Sequence, residues 1–365
     1  MQVTTPAPDG LRQAGIHRAW IVAAVTLGTL VAAATFRSST GVLIGPIEES
    51  FGWSRTTTSG AVSLNLVLYG LTAPFAAALM ERLGVRRVVA GALVLIAIGS
   101  GGALVMTQPW QLWVLWGFFV GIGTGSVALV FGAIVANRWF VKHRGVVMGV
   151  FSSASAAGQL VFLPVIAHLA EHHSWREAAG LVTAGAVLLI PVVWLVMRDR
   201  PSDLGLTPYG AGPDWQPPAA PVRDRGPAAV AIAELRSASR SWVFWILMAS
   251  FWVCGWSTNG LIGTHFVSAA HDHGMPPTTS ASLLALIGLF DIAGTLASGW
   301  LTDRVDPRKL LFVYYFFRGL SLLAVPALLG PKVEPSLFLF VVFYGLDWVA
   351  TVPPTVALCR LHFGA

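Results

Sequence analysis

The chain has 365 residues, of which 55% are hydrophobic and only 11% charged, with a formal net charge of +6. Soluble domains carry about 25% charged residues, so this composition excludes a soluble globular protein. Its 15 Trp and 38 Gly fit helices in lipid, where Gly permits close contacts and Trp favours the interfaces.

Residues 1–18 are polar and read as a short cytosolic tail rather than a signal peptide. Apolar runs able to cross a hydrocarbon core of about 30 Å follow at 19–45, 58–79, 88–106, 110–135, 146–168 and 178–197. A polar, Pro- and Gly-rich stretch at 198–241 reads as a flexible linker. Four more runs lie at 242–268, 280–301, 310–328 and 336–358. The runs are continuous rather than alternating, which predicts ten helices and no barrel. The expected fold is therefore an all-α polytopic membrane protein. Cys254 and Cys359 fall in or beside apolar runs and imply no disulfide framework.

With the N-terminus cytosolic, loops on that side hold 18 of the 23 Lys and Arg residues. The opposite side holds Arg55, Arg176 and Lys332, while Arg37 and Arg318 sit inside spans. That sorting is a positive-inside signal and accounts for the net charge without a nucleic-acid partner.

One stretch recurs. LMERLGVRR at 79–87 matches LTDRVDPRK at 301–309, an offset of 222 residues. The same offset pairs Trp20 with Trp242, Arg37 with Asn259, Gly41 with Gly263, Gly52 with Gly274, Pro109 with Pro331 and Arg138 with Arg360. The expected organisation is two parallel-repeat bundles: 1–197, the linker 198–241, and 242–365.

The pattern Gly-x-x-x-Asp-Arg-x-Gly-x-Arg-Arg between spans 2 and 3 resembles the signature loop of the major facilitator superfamily. Its second copy lies between spans 8 and 9. Ala77 replaces the first Gly of one copy, and Asp306 replaces the inner Gly of the other. The segments RWFVKHRGVVMG and GLFDIAGTLASGWLTDR further resemble the monocarboxylate and oxalate/formate antiporter branch. The resemblance implies six helices in each bundle. Six and four are seen, so the last two helices are expected to be missing.

In the loops, Glu81, Arg82, Arg86 and Arg87, with Asp303, Arg304, Arg308 and Lys309 in the second copy, are candidate gating residues. An acid–base step at a helix end can latch to basic side chains or a helix terminus across the bundle gap. The basic residues alone also serve topology.

Charges within a bilayer mark a pathway or a buried pair. Asp291, Arg318 and Asp347 fall at similar depth, roughly 12–17 Å from one end of spans 8, 9 and 10. They read either as a structural salt bridge, most simply Arg318 with Asp347, or as a proton-coupling cluster. The resemblance implies an acid at Asp291 and an Arg one turn later, where this chain has Thr295.

The resemblance also implies that helices 1, 4, 7 and 10 line a central cavity. Arg37 then suits a substrate carboxylate, which a guanidinium grips with two hydrogen bonds; the alternative is a side chain snorkelling to the outer interface. Asn259, His265 and Gln159 are the other candidate substrate contacts. GIGTGS at 121–126 reads as close packing, since no Lys follows to make it a phosphate loop. His168, His172 and His173 lack the companions of a metal site.

These features predict a secondary transporter of a small organic solute, a carboxylate by preference, working by alternating access with proton or counter-substrate coupling. A bacterial inner-membrane location with the N-terminus cytosolic is expected. A membrane-embedded sensor, an efflux transporter and an intramembrane enzyme are the alternatives; no catalytic pair supports the last. The expected partners are the solute and the lipid bilayer, with no nucleic acid, no cofactor and no metal, and a monomer as the unit.

Overall fold

The computed structural model describes residues 17–143, 147–148, 150–151, 154–212, 215, 227–302 and 304–363. Among them the only β pairing is an isolated bridge between Phe140 and Tyr209. Everything else of regular form is helical. A backbone surrounded by hydrocarbon must satisfy its own polar groups, and a helix does so within one segment.

Among the described residues, the long helices before residue 198 are α1 Arg18–Phe51, α2 Arg55–Leu83, α3 Val85–Ala103, α4 Pro109–Trp139, α5 Ala154–His172 and α6 Trp175–Val196. In the second half, α7 runs as Trp242–Gly255, a π-turn segment Trp256–Ile262, and Gly263–Asp272. Then come α8 Pro277–Thr302, α9 Pro307–Leu328 and α10, which is broken into Pro335–Asp347 and Val352–Phe363. Eight of these are long and apolar enough to cross a membrane by length and composition.

Local chemistry sets the ends. Ser54 caps α2, its hydroxyl accepting from the Thr57 amide, and Ser174 caps α6 from the Arg176 amide. Gly52, in the left-handed region at φ 66°, closes α1, and its repeat counterpart Gly274, φ 87°, follows α7. Several helices outrun the apolar spans; α1, for instance, continues through Pro46 to Phe51 rather than stopping at 45. The reason is that polar residues at the interface still propagate a helix, so hydropathy underestimates its length.

The stretch 198–241 is not a flexible linker throughout. Tyr209 donates its amide to the Trp139 carbonyl (2.8 Å) and accepts from the amides of Val141 and Lys142. Its ring meets Trp20 and His17 edge-on at 5.5 and 5.4 Å. A further helix, Pro227–Ala238, precedes α7. The GIGTGS glycines do pack closely: side chains added at Gly121, Gly123 and Gly125 would strike α2 or α3.

Candidate functional site

Three groups of polar residues stand out: the loops on the face that carries Glu81–Arg87, a buried cluster in α8–α10, and a recess between the halves. The membrane face opposite the Glu81 loop is called the far face below.

The loop after α2 turns on Gly84, φ 90°. The Asp199 carboxylate, arriving from beyond α6, occupies the space a side chain on residue 84 would fill. It accepts from the Arg86 amide at 3.0 Å, so Asp199 caps α3 in place of a side chain at the cap position. Glu81 pairs with Arg138 of α4 at 2.6 Å, and Arg138 also donates to the Asp199 carbonyl at 3.3 Å. The Glu81 pair thus lies within the first half rather than across the bundle gap. Arg86 stacks over Trp194, 4.6 Å to the ring centre, while Arg82 and Arg87 are exposed. In the second copy, Asp306 caps α9 itself, accepting from the Arg308 amide at 2.9 Å. That explains its place where the pattern has Gly: the second loop carries its own cap. Arg304 stacks on Trp300 at 4.1 Å, and Arg308 and Lys309 are exposed. Asp303 lies outside the described residues.

The buried cluster assembles around the break in α10. Pro353 and Pro354 lack the amide hydrogens a continuous helix needs, so the helix stops at Asp347 and restarts at Val352. Every freed group named here has a partner. Arg318, 2% exposed, donates Nε to Asp347 Oδ2 at 2.6 Å and Nη1 to Ser257 Oγ at 3.3 Å. Its Nη2 donates to the carbonyls of Asp347 and Trp348. Asp291 Oδ1 accepts from the Val349 amide at 3.0 Å and from Thr295 Oγ1 at 2.9 Å. Ser298 donates to the Ala350 carbonyl. A cation therefore sits at the carbonyl end of the first half-helix, matching its dipole, and an acid holds the Val349 amide in the turn before the second. Asp347 Oδ1 is buried without a hydrogen-bond partner. Thr295, standing where the resemblance implies Arg, is a hydroxyl donor to Asp291.

The recess is lined by Arg37 and Thr40 of α1, Val62 and Asn65 of α2, and Asn259 and Thr264 of α7. Asn259 lies in the π-turn segment of α7, a widened turn of the kind often found at functional sites. Arg37 and Tyr69 each lie fourteen residues from the far-face ends of α1 and α2, about 21 Å of helix. The Arg37 guanidinium lies over that Tyr69 ring, 5.2 Å to the centre, so it points across the bundle rather than to the outer interface. Arg37 and Asn259, paired by the internal repeat, meet in one recess. His265 is half-buried but outside the recess lining; its electrostatic neighbours are Arg55 and Glu48. The Gln159 side chain lies outside the described residues.

Toward the far face the halves are tied together. Arg55 donates to Asp272 at 2.9 Å and reaches Glu48 at 3.5 Å. The Arg55 hydrogen bond holds the Asp272 carboxyl below its usual value. Glu171 of α5 accepts from the amide and hydroxyl of Thr278, capping α8 from the other half. Between these ties α1 touches α7: a side chain added at Gly41 would come within 2.7 Å of the Gly263 carbonyl. Sequence reading missed Asp199, Glu171 and the Arg55–Asp272 pair. The Pro353–Pro354 step was the available signal for the α10 break.

The sequence matches the Major Facilitator Superfamily over residues 25–365. The chain belongs to the major facilitator superfamily. It is a multi-pass membrane transporter, not an enzyme. It is 26% identical over 347 residues to the uncharacterized MFS-type transporter YcxA of Bacillus subtilis (strain 168), covering 93% of this chain and 79% of that one. It is also 26% identical over 320 residues to monocarboxylate transporter 13 of Bos taurus, covering 86% and 68%. Its fold matches the E. coli xylose transporter XylE in a partially occluded inward-open conformation, with TM-score 0.65, 13% identity, and coverage of 94% and 87%.

Proposed function

We propose that this transporter carries a small organic monocarboxylate by alternating access, driven by a proton or counter-substrate gradient. The observation that carries the reading is Arg37 in a recess shared by both halves, facing Asn65 and Asn259. A guanidinium offers five N–H donors in a fork that matches a carboxylate, and the Asn259 amide lines the same recess beside it. The relatives named monocarboxylate transporters support the same class.

The α10 cluster is the coupling element in this reading. Asp347 Oδ1 lacks a partner inside a buried network that also holds Asp291 and Arg318. A proton delivered there alters the pairing that holds the break between the half-helices, which ties protonation to the shape of α10. The sorted Lys and Arg residues support a cytosolic N-terminus, an inner-membrane location, and a far face turned away from the cytosol. The loops at 79–87 and 301–309 then lie on the cytosolic side as gate elements, with residues 1–197 and 242–365 as the two moving units.

The test is uptake of labelled acetate and butyrate into proteoliposomes under an imposed proton gradient. Arg37→Lys keeps the charge and loses the planar fork, so KM should rise roughly 10- to 100-fold, the equivalent of one charged hydrogen bond. Asp347→Asn should retain exchange but lose gradient-driven accumulation. Unchanged KM in Arg37→Lys, or no carboxylate flux at all, overturns the reading.

A further inference from the structure

A second recess adjoins the first. Its walls include Leu43, Ile44 and Ile47 of α1, Ala61 and Val62 of α2, and Trp116 of α4. Thr40 and Val62 line both recesses, so the two share a wall. Their chemistry is opposite. The first holds a cation and two amides. The second holds hydrocarbon walls with few polar groups: the Trp116 indole N–H donates to Thr40 Oγ1 at 3.0 Å, and the Thr58 hydroxyl is turned to Glu48 Oε1 at 2.5 Å. Asn65 donates to the Trp116 carbonyl at 2.7 Å, which holds α4 against α2 at the junction.

The order along α1 gives the direction. Arg37 comes first, Thr40 one turn later and Ile44 two turns later, about 10 Å farther toward the far face. A molecule with its anionic end at Arg37 and a hydrocarbon tail of a few carbons matches this sequence of surroundings. We propose that the second recess is the tail-binding part of the site, and that it selects monocarboxylates with a plain aliphatic tail over hydroxy acids and dicarboxylates. The proposal rests on the carboxylate reading of Arg37. A tail methylene moved from water into hydrocarbon gains affinity, roughly fourfold for each one buried. A tail hydroxyl or second carboxylate gives up water for walls that are mainly hydrocarbon, with only the Thr40 and Thr58 hydroxyls as further partners, so it is disfavoured.

The experiment is inhibition of labelled acetate uptake in proteoliposomes by acetate, propionate, butyrate, 3-hydroxybutyrate and glutarate. Inhibition should strengthen roughly fourfold per methylene from acetate to butyrate. It should weaken roughly tenfold or more from butyrate to 3-hydroxybutyrate. Ala61→Leu fills the recess and should bring the butyrate-to-acetate ratio close to one. Ile47→Val, a milder change that enlarges the recess, should move the optimum to a longer acid. A flat series in a protein that still carries acetate and still responds to Arg37→Lys overturns the tail site alone. So do unaltered ratios in the folded variants. Absence of carboxylate flux overturns both this proposal and the reading beneath it.

Discussion

Replacing Arg318 by Ala should be among the most damaging single changes in the second half. The side chain is 2% exposed and serves four acceptors: Asp347 Oδ2, the carbonyls of Asp347 and Trp348, and Ser257 Oγ. Its loss leaves the Asp347 carboxylate buried and unpaired, since Oδ1 already lacks a partner. Breaking a buried ion pair from one side costs about 3–5 kcal/mol, and each stranded carbonyl adds about 1–3 kcal/mol before the structure relaxes. A typical domain is stable by only about 5–15 kcal/mol, so the folded fraction should fall sharply. The assay is thermal unfolding in detergent, with folded yield read by size-exclusion chromatography. The double change Arg318→Ala with Asp347→Ala should recover part of the loss, because it removes the stranded charge. Recovery should stay incomplete, because the carbonyls at the α10 break still lack a donor. Arg318→Lys should fall between, since one ammonium cannot span all four acceptors. A single Arg318→Ala variant as stable as the parent, or a double variant no better than the single, refutes the reasoning.

Two further outcomes follow from the far face. Gly41→Leu places a side chain where even a Cβ meets the Gly263 carbonyl at 2.7 Å and the Thr264 carbonyl at 2.9 Å. Spin labels at positions 49 and 273 should then report a longer distance across that face; an unchanged distance refutes the close contact. Asp272→Asn should shift the same distance distribution only slightly. Both partners of the Arg55 pair are 49% exposed, and such pairs contribute about 0.2–1 kcal/mol, at most roughly a fivefold change in closed-to-open ratio. Because Asp272 titrates below its usual value, its contribution is complete above the unfolded carboxyl pKa of about 3.9. It is lost as pH falls through the lower folded value. A pH titration of the label distance from 7 to 3 checks the sign.

The existence of the helices and their order were legible along the chain. The reason is that hydrocarbon leaves few backbone options, so a run of apolar residues nearly determines its own conformation. The internal repeat carried more. It paired Arg37 with Asn259 and Gly41 with Gly263, and both pairs meet in space, at the recess and at the α1–α7 contact. Equal depth on α9 and α10 pointed to Arg318 with Asp347, which bond at 2.6 Å. What only the tertiary structure decided were partners distant in sequence. Asp199 caps α3 across 113 residues, Glu171 caps α8 across 107, and Arg55 meets Asp272 across 217. No periodicity encodes such a pairing, because a cap requires only an oxygen at a helix start and is indifferent to where the chain supplies it. The role of Asp291 shows the same limit. Its depth was readable from α8 alone, but that it holds the Val349 amide depends on a break in a different helix and on how closely α8 and α10 approach.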